Sequence, residues 1–382
     1  MKLKKGFFLK IKQRLMDSKQ LNLFVSAIIL SSVFNCLSEG VIKELTKSNI
    51  AEAQQAEETF GAEANPTRDT IGGGAGYIRL ITRKHYRVDT RKELLDALKK
   101  AQFGQTIYID DSAVIDLTGY KNIVIPAGVT LASGRGKIGS QGALLFSDEL
   151  DTYPLFSAGG IKVRITGIRL QGPDPERRTE QMKELYDKGL YYSIPNSQGI
   201  RSSYAWLEVD NCELSGWSHA AIFLLDNSYS YIHHNSIHHN QRWGLGYGIC
   251  LARANALIEA NLFDWCRHSI AATGEPGTSY EARYNLVLEN ASQYSFDMHG
   301  VLNPNDGTYT AGDWVNIHHN TFRVLDVPCS ILLDGKPKQK SPIHHNWFVH
   351  SEDERNAVWQ IDTPGNLDVF RNQYTENKIV KD

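Results

Sequence analysis

The feature that most constrains the fold is an asparagine motif that recurs through the second half of the chain. In each copy an asparagine follows an apolar stretch and precedes another hydrophobic or aromatic side chain. Successive asparagines are separated by 24, 26, 24, 35, 26 and 26 residues. A repeat of this length indicates a solenoid in which each copy builds one coil. The asparagines are Asn211, Asn235, Asn261, Asn285, Asn320, Asn346 and Asn372.

This period matches one coil of a parallel β-helix, which has three short strands and three turns. Coils stack at about 4.8 Å, so equivalent side chains form columns. Asparagine tolerates the left-handed backbone of a sharp turn, and stacked amides hydrogen-bond from coil to coil. We therefore predict an all-β, right-handed parallel β-helix in which the asparagine column is a structural ladder.

The N-terminal part of the chain differs in composition from the repeats. Residues 1–53 combine a basic leader, an apolar run over 21–34 and a small-x-small tripeptide at 51–53. This pattern predicts a signal peptide or, if it is not cleaved, an N-terminal anchor. Residues 54–75, rich in Ala, Glu and Gly, are predicted to form a flexible linker, and residues 76–382 the β-helix domain. We expect a secreted, cell-envelope or periplasmic protein that meets a membrane only through an uncleaved N-terminal segment.

The β-helix domain is predicted to carry two additions. An N-terminal capping helix with a leucine stripe is expected after Asp89 or Thr90, because the open end of a solenoid must be covered. A copy of the motif with Gly167 in the asparagine position lies 44 residues before Asn211, which fits one coil plus an inserted loop at 173–198. The arginines, lysines and tyrosines of this loop suit either a helical lid over an anionic sugar chain or a solvated surface loop.

Charge and cysteine content limit the partners and the compartment. The formal net charge is −2, so no basic field favours nucleic acid. Four cysteines follow the N-terminal segment, and their even number permits disulfides in an exported protein. Their strand-like surroundings favour buried small side chains instead. Nothing in the sequence indicates an oligomer, so a monomer is expected. The cysteines are Cys212, Cys250, Cys266 and Cys329.

Four adjacent histidine pairs raise the question of a metal. Stacked imidazoles can meet metal-ligand geometry, but no carboxylate accompanies the pairs consistently, so stacking beside the asparagine turn is favoured. No metal site is assigned, no cofactor is required, and calcium is compatible with the chain without support from a motif. The pairs are His233 with His234, His238 with His239, His318 with His319, and His344 with His345.

Titratable side chains concentrate in the middle coils when one strand per coil is aligned. A one-residue slip of this register would exchange inside and outside. Such a concentration on a regular scaffold is typical of a functional site. The strands are aligned on Ile222, Ile249, Ile270, Met298, Ile331 and Val358. The candidate catalytic residues are His268, His299, Arg267, Tyr247 and Arg242, and the candidate substrate-binding residues are His219, Trp243, Asp297, Tyr280 and Arg283.

These side chains suit β-elimination on an acidic polysaccharide better than hydrolysis. A lyase must neutralise the C5 carboxylate, remove the C5 proton and protonate the leaving oxygen. Arginine suits the first step, and histidine or tyrosine the other two. A glycoside hydrolase needs two facing carboxylates, and here Asp297 has only Asp264 or Glu275 as a prospective partner. A C5-epimerase, which shares the proton abstraction, and a non-catalytic carbohydrate-binding surface protein are further alternatives.

The chain resembles the pectate-lyase-like right-handed β-helix superfamily over roughly residues 85–380. The resemblance rests on the helix at 93–98, the strand at 104–109, and the segments at 125–131 and 165–168. It implies the fold but not the reaction, because the superfamily includes lyases, epimerases, hydrolases and binders. The Asp-His pair and Arg-x-Pro-x-x-Arg segment of classical pectate lyases are absent, so the chain is more similar to β-helical alginate lyases and mannuronan epimerases.

Overall fold

The regular secondary structure of the chain consists mainly of short parallel strands that stack into three long sheets. The computed structural model describes residues 58–226, 229–300, 307–377 and 379–381; the predicted signal or anchor segment and the first residues of the predicted linker lie outside them. Each regular coil contributes one strand to sheets A, B and C in turn, and each strand pairs with its equivalents in the neighbouring coils. The architecture is a right-handed parallel β-helix, as the repeat predicts.

The strands are numbered along the chain and described by sheet. Sheet A contains β1 (Tyr86–Val88), β2 (Thr106–Ile109), β5 (Thr130–Ala132), β8 (Arg164–Thr166), β11 (Leu207–Asp210), β14 (Tyr229–His233), β17 (Asn255–Glu259), β20 (Ser279–Arg283), β23 (Trp314–His318), β26 (Ser341–His344) and β29 (Leu367–Phe370). Sheet B contains β3 (Val114–Asp116), β6 (Leu144–Phe146), β9 (Arg169–Gln171), β12 (Glu213–Ser215), β15 (Ser236–Asn240), β18 (Leu262–Cys266), β21 (Leu286–Val287), β24 (Thr321–Phe322), β27 (Trp347–Phe348), β30 (Asn372–Tyr374) and the antiparallel β31 (Ile379–Lys381). Sheet C contains β4 (Ile123–Ile125), β7 (Phe156–Ala158), β10 (Gln198–Ser202), β13 (Ala220–Leu225), β16 (Tyr247–Ala252), β19 (His268–Ala272), β22 (Phe296–Met298), β25 (Ile331–Asp334) and β28 (Val358–Ile361). The helices are α1 (Arg91–Lys100), α2 (Thr179–Asp187) and α3 (Glu354–Ala357), and 3-10 turns span Ala62–Ala64 and Tyr191–Ser193.

The inward side chains of the coils form one continuous apolar core. Alternation along the strand selects them: in β4, Ile123 and Ile125 are buried while Val124 between them is exposed. Equivalent core positions stack from coil to coil, as where the Phe322 and Phe348 rings lie 5.0 Å apart and nearly parallel. The repeat therefore buries apolar area continuously along the axis, which is the main driving force for a solenoid fold.

The asparagine ladder is confirmed, with one correction at its start. From Asn235 to Asn346, the backbone N–H and side-chain amide of each motif asparagine donate to Oδ1 of the next. Asn211 is not in this column, because it pairs with the His234 position and Cys212 donates its N–H to Asn235 Oδ1 instead. The left-handed residue of each ladder turn is also not the asparagine but the residue before it, such as His234 at φ 53°.

Three of the four histidine pairs lie beside this ladder, as predicted, whereas His238 and His239 lie at the other end of β15, where His239 stacks on Trp265. The two Nδ1 atoms of each pair lie 2.7–2.9 Å apart. The His319 and His345 rings of successive coils are stacked at 5.0 Å. The four cysteines of the described residues are free and buried, which confirms their prediction as small core side chains.

Helix α1 forms where the sequence predicts a cap. The Thr90 side chain accepts a hydrogen bond from the Glu93 N–H at its N-terminus, as expected of an N-cap threonine. Leu94 and Leu98 are buried in the core cluster that continues into β2. That this helix covers the open end of the solenoid remains a prediction. Within the described residues, none of the helices combines the length and apolar content that crossing a membrane requires.

Residues 59–80, here called the N-terminal strap, lie against the outside of the solenoid. Gly61 N–H donates to the His345 carbonyl, Gly72 N–H to the Ala260 carbonyl and Gly74 N–H to Asn211 Oδ1. The strap thus runs from late coils back to early ones over the turns between sheets A and B. The prediction of a flexible linker is wrong for residues 59–75, because composition does not reveal that these backbone groups have partners on the coils. The remainder of that linker, residues 54–57, lies outside the described residues.

The strap is held at its C-terminal end by charged and aromatic groups. The Tyr77 hydroxyl donates to Asp210 Oδ2 at 2.6 Å, and Arg79 forms an ion pair with Glu208 at 2.7 Å. Gly73 lies so close to the coil that a Cβ there would meet the His234 carbonyl at 2.3 Å, at a φ of +66°. Only glycine fits this contact and this backbone conformation.

Candidate functional site

A row of aromatic rings follows one edge of sheet C across the middle coils. Consecutive ring centroids lie 5.6–6.0 Å apart. The row arises because Tyr247 and His268 are register partners at the starts of β16 and β19. Two guanidinium groups lie over it, Arg201 at 6.0 Å from the Tyr153 ring and Arg267 at 5.9 Å from the Tyr247 ring. The row consists of Tyr153, His219, Tyr247, His268 and Tyr294.

Two of the predicted catalytic residues lie at the middle of this row: Tyr247 is its central ring, and Arg267 lies over that ring. Arg267 is positioned by its N–H, which donates to the carbonyls of Asn240 and Gly246 in the preceding coil. Within the described residues its guanidinium makes no ion pair and only a long hydrogen bond, 3.5 Å, to the Leu245 carbonyl. Burial raises the pKa of Tyr247, and the nearby Arg267 charge partly opposes that increase. A partly exposed cation therefore lies beside a phenol.

The predicted residues His268, Asp297 and His299 also come together, at the end of the row. Asp297 Oδ2 lies 3.3 Å from His268 Nε2 and 3.2 Å from His299 Nε2. Burial is the main cause of two shifts: the pKa of Asp297 is raised, and that of His268 is lowered far below its usual value. The His299 side chain is 27% exposed, whereas that of His268 is fully buried. Of these three groups, His299 is therefore the one that a substrate can reach.

His219 belongs to the row, and neighbouring side chains hold its ring in place. Its Nδ1 accepts a hydrogen bond from the Gln198 amide at 2.9 Å and lies 3.2 Å from the Tyr153 hydroxyl. Burial lowers the pKa of His219 to about 4, with a smaller contribution from Arg201. Next to it, Tyr153 and Arg201 line a depression of about 460 Å³ on the surface. A neutral His219 is thus available to contact a ligand in the row.

Arg242 and Trp243 contact the inserted loop rather than the open face. The Arg242 side chain is fully buried, with Nε 2.6 Å from Asp174 Oδ2 and Nη1 2.7 Å from the Pro195 carbonyl. These bonds tie both ends of the insertion to the solenoid, so the predicted catalytic role of Arg242 is corrected to a structural one. Trp243 packs edge-on against Tyr186 and Tyr191 of the insertion, and its carbonyl accepts a hydrogen bond from the Tyr191 hydroxyl.

The insertion contains a helix, α2, as the lid hypothesis requires, but several of its charges are paired internally. Arg178 forms an ion pair with Asp174, and Lys188 with Glu184. Burial is the main cause of the raised pKa of Tyr191, about 12, and the Arg267 charge opposes it. The insertion therefore borders the row near Arg267.

Tyr280 and Arg283 lie on β20 in sheet A, away from the face that carries the row. The Tyr280 ring is fully buried in the core, so it cannot contact a polysaccharide. Arg283 Nε forms an ion pair with Glu259 at 2.7 Å, and Nη1 forms another with Glu281 at 2.8 Å. Both predicted substrate contacts are therefore corrected to structural ones.

The prospective hydrolase partners of Asp297 are also engaged elsewhere. Asp264 lies on β18 in sheet B, where its carboxylate accepts a hydrogen bond from the Asn290 amide. Glu275 forms an ion pair with Arg253. Asp334 at the end of β25 is a further carboxyl group that was not predicted from the sequence, and burial and the neighbouring Asp362 raise its pKa.

Tyr294 was missed because of a register error in one coil. The alignment used Met298, but the partner of Ile270 and Ile331 is Phe296, two residues earlier. Since the slip is an even number, inside and outside are preserved. With Phe296 in the column, Tyr294 falls opposite His268, so the available signal was an aromatic residue two positions before the core position in three successive coils, at Tyr247, His268 and Tyr294.

A second group of potential metal ligands, Glu208, Asp210 and His233, lies under the strap. Its carboxylates already have cationic and hydroxyl partners: Asp210 accepts from Arg164 at 2.7 and 2.8 Å and from Thr166 at 2.9 Å. The segment 301–313, which follows β22, lies only in part within the described residues, since 301–306 fall outside them.

One of the comparisons with known proteins, the family match, agrees with the fold. Residues 196–374 match the family model described as right handed beta helix region. No curated protein matches the chain. A similar solved structure is ORF18 of Geobacillus virus E2, with 10% sequence identity, a TM-score of 0.38 and coverage of 88% of this chain and 64% of that one. The chain thus spans less than two thirds of the length of that protein. The family match over residues 196–374 and the three parallel sheets show that the chain folds as a right-handed parallel β-helix.

Proposed function

We propose that the protein is a polysaccharide lyase that cleaves a uronate-containing polysaccharide, such as alginate, along the aromatic row of sheet C. The β-helix fold is compatible with proteins that act on polysaccharides. The observation that carries the proposal is the row itself, in which closely spaced aromatic rings and two arginines follow the solenoid axis. Rings offer flat apolar surfaces to sugars, and guanidinium groups pair with carboxylates.

Arg267 is the group proposed to bind the C5 carboxylate at the cleavage point. Its guanidinium is partly exposed and, within the described residues, forms no ion pair. A guanidinium can grip a carboxylate through two parallel hydrogen bonds. Neutralising this carboxylate lowers the pKa of the C5 proton, which is the first requirement for β-elimination. Arg201, at the far end of the row, is proposed to bind another uronate of the same chain.

Tyr247 and His299 are the proposed proton-transfer groups. In the reaction a base removes the C5 proton, the C4–C5 double bond forms, the bond from C4 to the leaving oxygen breaks, and that oxygen receives a proton. Burial raises the pKa of Tyr247, and the charge of the neighbouring Arg267 opposes that increase only in part, so Tyr247 keeps the proton that the leaving oxygen needs. His299 is the exposed imidazole of the cluster and is held next to Asp297. The buried His268 orients the cluster rather than touching sugar.

The predicted export segment supports the same assignment. A protein that passes through or stays at the cell envelope meets extracellular acidic polysaccharides, which are the proposed partners. Neither nucleic acid nor a second subunit is part of the proposal.

The test is an elimination assay with the purified full-length chain on alginate, pectate, glucuronan and glycosaminoglycans. β-Elimination creates a conjugated double bond, so the expected signal is a rise in ultraviolet absorbance. Arg267→Ala and Tyr247→Phe are expected to lower kcat/KM by about 100-fold or more. Arg283→Ala and Tyr229→Phe on sheet A are matched controls and should retain activity, with circular dichroism to verify folding. No absorbance change on any of these substrates would refute the lyase proposal.

Hydrolysis is the second candidate function because two carboxyl groups near the cluster, Asp297 and Asp334, have raised pKa values. A carboxyl group that stays protonated can act as a general acid. Product sizing of the same reactions separates the two, since shortened chains without new absorbance indicate hydrolysis. In that case Asp334→Asn should abolish the shortening while Arg267→Ala retains it.

A further inference from the structure

The three side chains of the cluster, His268, Asp297 and His299, are arranged in a way that hydrogen bonding alone does not explain. His268 Nδ1 lies 2.6 Å from the Tyr294 carbonyl oxygen. A carbonyl only accepts hydrogen bonds, so Nδ1 carries the proton and donates it. In the neutral ring His268 Nε2 then has a lone pair, and this lone pair points toward a carboxylate.

Two buried atoms of the cluster are left without a hydrogen-bond partner. They are His268 Nε2 and Asp297 Oδ1. Buried polar atoms without a partner cost about 1–3 kcal/mol each, and such atoms in a native protein call for an explanation, for example an ion. Asp297 has no arginine or lysine within ion-pair distance in the described part of the chain; its only ion-pair partners there are the two imidazoles.

The spacing of these atoms fits a shared metal ion. The N–O separations of 3.2 and 3.3 Å exceed those of a good charge-assisted hydrogen bond. A divalent ion about 2.0–2.1 Å from each ligand places neighbouring ligand atoms about 3.0–3.4 Å apart. All three ligand atoms lie within 4.8 Å of one another. The backbone carbonyl on His268 Nδ1 is the usual outer partner of a metal-bound imidazole, because it fixes the tautomer and the ring orientation.

The cluster under the strap provides a contrast within the same chain. There Asp210 is satisfied by Arg164, Thr166 and Tyr77, and Glu208 by Arg79 and His233. Those carboxylates have fixed positive charges already and no need of a cation. Of these two clusters, only the one on sheet C combines unsatisfied buried ligand atoms with an exposed side.

We infer that His268, Asp297 and His299 bind one divalent transition-metal ion, with Zn²⁺ as the reference ion, and leave an open coordination position toward the surface. Two imidazoles and one carboxylate suit zinc and its neighbours, whereas calcium and magnesium prefer oxygen ligands alone. Three protein ligands with one open position are typical of catalytic rather than structural zinc sites. Binding rests only on these three side chains, and it occupies His299 Nε2, so in the metal-loaded protein that nitrogen is a ligand and no longer a proton-transfer atom. The further expectation that the ion attracts a uronate carboxylate together with Arg267 rests on the proposed function.

The test measures metal binding without any sugar. Full-length chain without an affinity tag is stripped with a chelator and titrated with Zn²⁺ by calorimetry. We expect one tight equivalent per chain, and binding weaker by more than about 100-fold in His299→Gln and Asp297→Asn, since even outer partners of a metal ligand are worth about 10–100-fold. His350→Gln, an exposed histidine outside the cluster, is the matched control and should bind as the natural chain does.

A second measurement uses the natural chain alone, so that it does not depend on the variants folding. Co²⁺ added to the stripped protein is expected to give the visible absorption of a low-coordinate nitrogen–oxygen site, and Zn²⁺ should displace it. The inference would be overturned if the chain binds no stoichiometric equivalent of metal, or if folded His299→Gln binds as tightly as the natural chain. The remaining explanation would then be a proton shared between His268 and Asp297. Elimination activity that survives chelation would separate the two proposals: it supports a lyase without a metal. Tight zinc binding without elimination supports the site and refutes the lyase.

Discussion

Replacing one ladder asparagine, Asn285→Ala, tests whether the asparagine column carries a large share of the stability. The Asn285 side chain makes four buried hydrogen bonds. Its Oδ1 accepts from the backbone N–H and the side-chain amide of Asn261, both at 3.0 Å. Its Nδ2 donates to the Ile258 carbonyl and to Asn320 Oδ1, both at 2.9 Å. Alanine removes all four bonds and leaves the buried Asn261 N–H without its acceptor.

The magnitude follows from these bonds. Four intramolecular hydrogen bonds at about 1 kcal/mol each contribute about 4 kcal/mol, and a buried donor left unsatisfied costs about 1–3 kcal/mol. We therefore expect the free energy of unfolding to fall by about 5–7 kcal/mol. Asn290→Ala is the matched control, since its partly exposed amide bonds only to the Asp264 carboxylate. It should cost less than about 1 kcal/mol.

Urea unfolding followed by circular dichroism measures the global change, and amide hydrogen exchange measures the local one. The second readout is needed because a repeat array can lose cooperativity and unfold in parts. The Asn261 amide should lose its protection in Asn285→Ala and keep it in Asn290→Ala. If Asn285→Ala stays within about 1 kcal/mol of the natural chain and the Asn261 amide remains protected, the ladder is not an energetic element of the fold.

Three further predictions concern acid stability, the strap and the insertion. Burial lowers the pKa of His219 to about 4, below about 6.5 in an unfolded chain, so between these pH values the unfolded state binds the extra proton. The free energy of unfolding should therefore fall by about 3 kcal/mol as pH drops from about 6.5 to 4. Urea unfolding of His219→Gln at both pH values should show a smaller decrease, because the variant lacks the contribution of His219. Tyr77→Phe removes the 2.6 Å hydrogen bond to Asp210. It should lower the free energy of unfolding by about 1–2 kcal/mol and speed proteolysis of the strap. An unchanged cleavage rate would contradict a docked strap. Arg242→Ala removes the guanidinium that pairs with the buried Asp174. We expect the free energy of unfolding to fall by about 3–5 kcal/mol and proteolysis within 173–198 to become faster. Unchanged stability would mean that this pair does not hold the insertion.

The sequence predicts the solenoid well because its strongest signals are imposed by the fold itself. The core column and the ladder must recur in every coil, so Asn235 through Asn372 are visible as a period. The errors occur where the repeat is not strict. Cys212 takes the ladder position in place of Asn211, and the core position of the next irregular coil is Phe296, two residues before the aligned Met298. In both coils a nearby residue of the expected type, Asn211 or Met298, made the wrong alignment look correct.

The strap escaped the sequence analysis for a different reason. Its contacts are made mostly by backbone groups, as at Gly61 and Gly72, and by partners more than a hundred residues away. A glycine- and alanine-rich composition is typical of flexible linkers, yet glycine also permits the close approach that Gly73 makes to the coil. Composition cannot distinguish these two uses of glycine; only the docking surface can.

The candidate site is identified by what the fold does not require. In the register column of sheet C that contains Asp297, the neighbouring residues are Ala271 and Leu332. A carboxylate between two apolar partners does nothing for coil stacking, and this one is buried, so it reduces stability unless something binds it. His268 adds a second unsatisfied buried atom next to it. Deviations of this kind from an otherwise repetitive scaffold are expected at functional sites. This is why the middle coils of sheet C, rather than the more conspicuous histidine pairs of the ladder, are where we expect the chemistry of this protein.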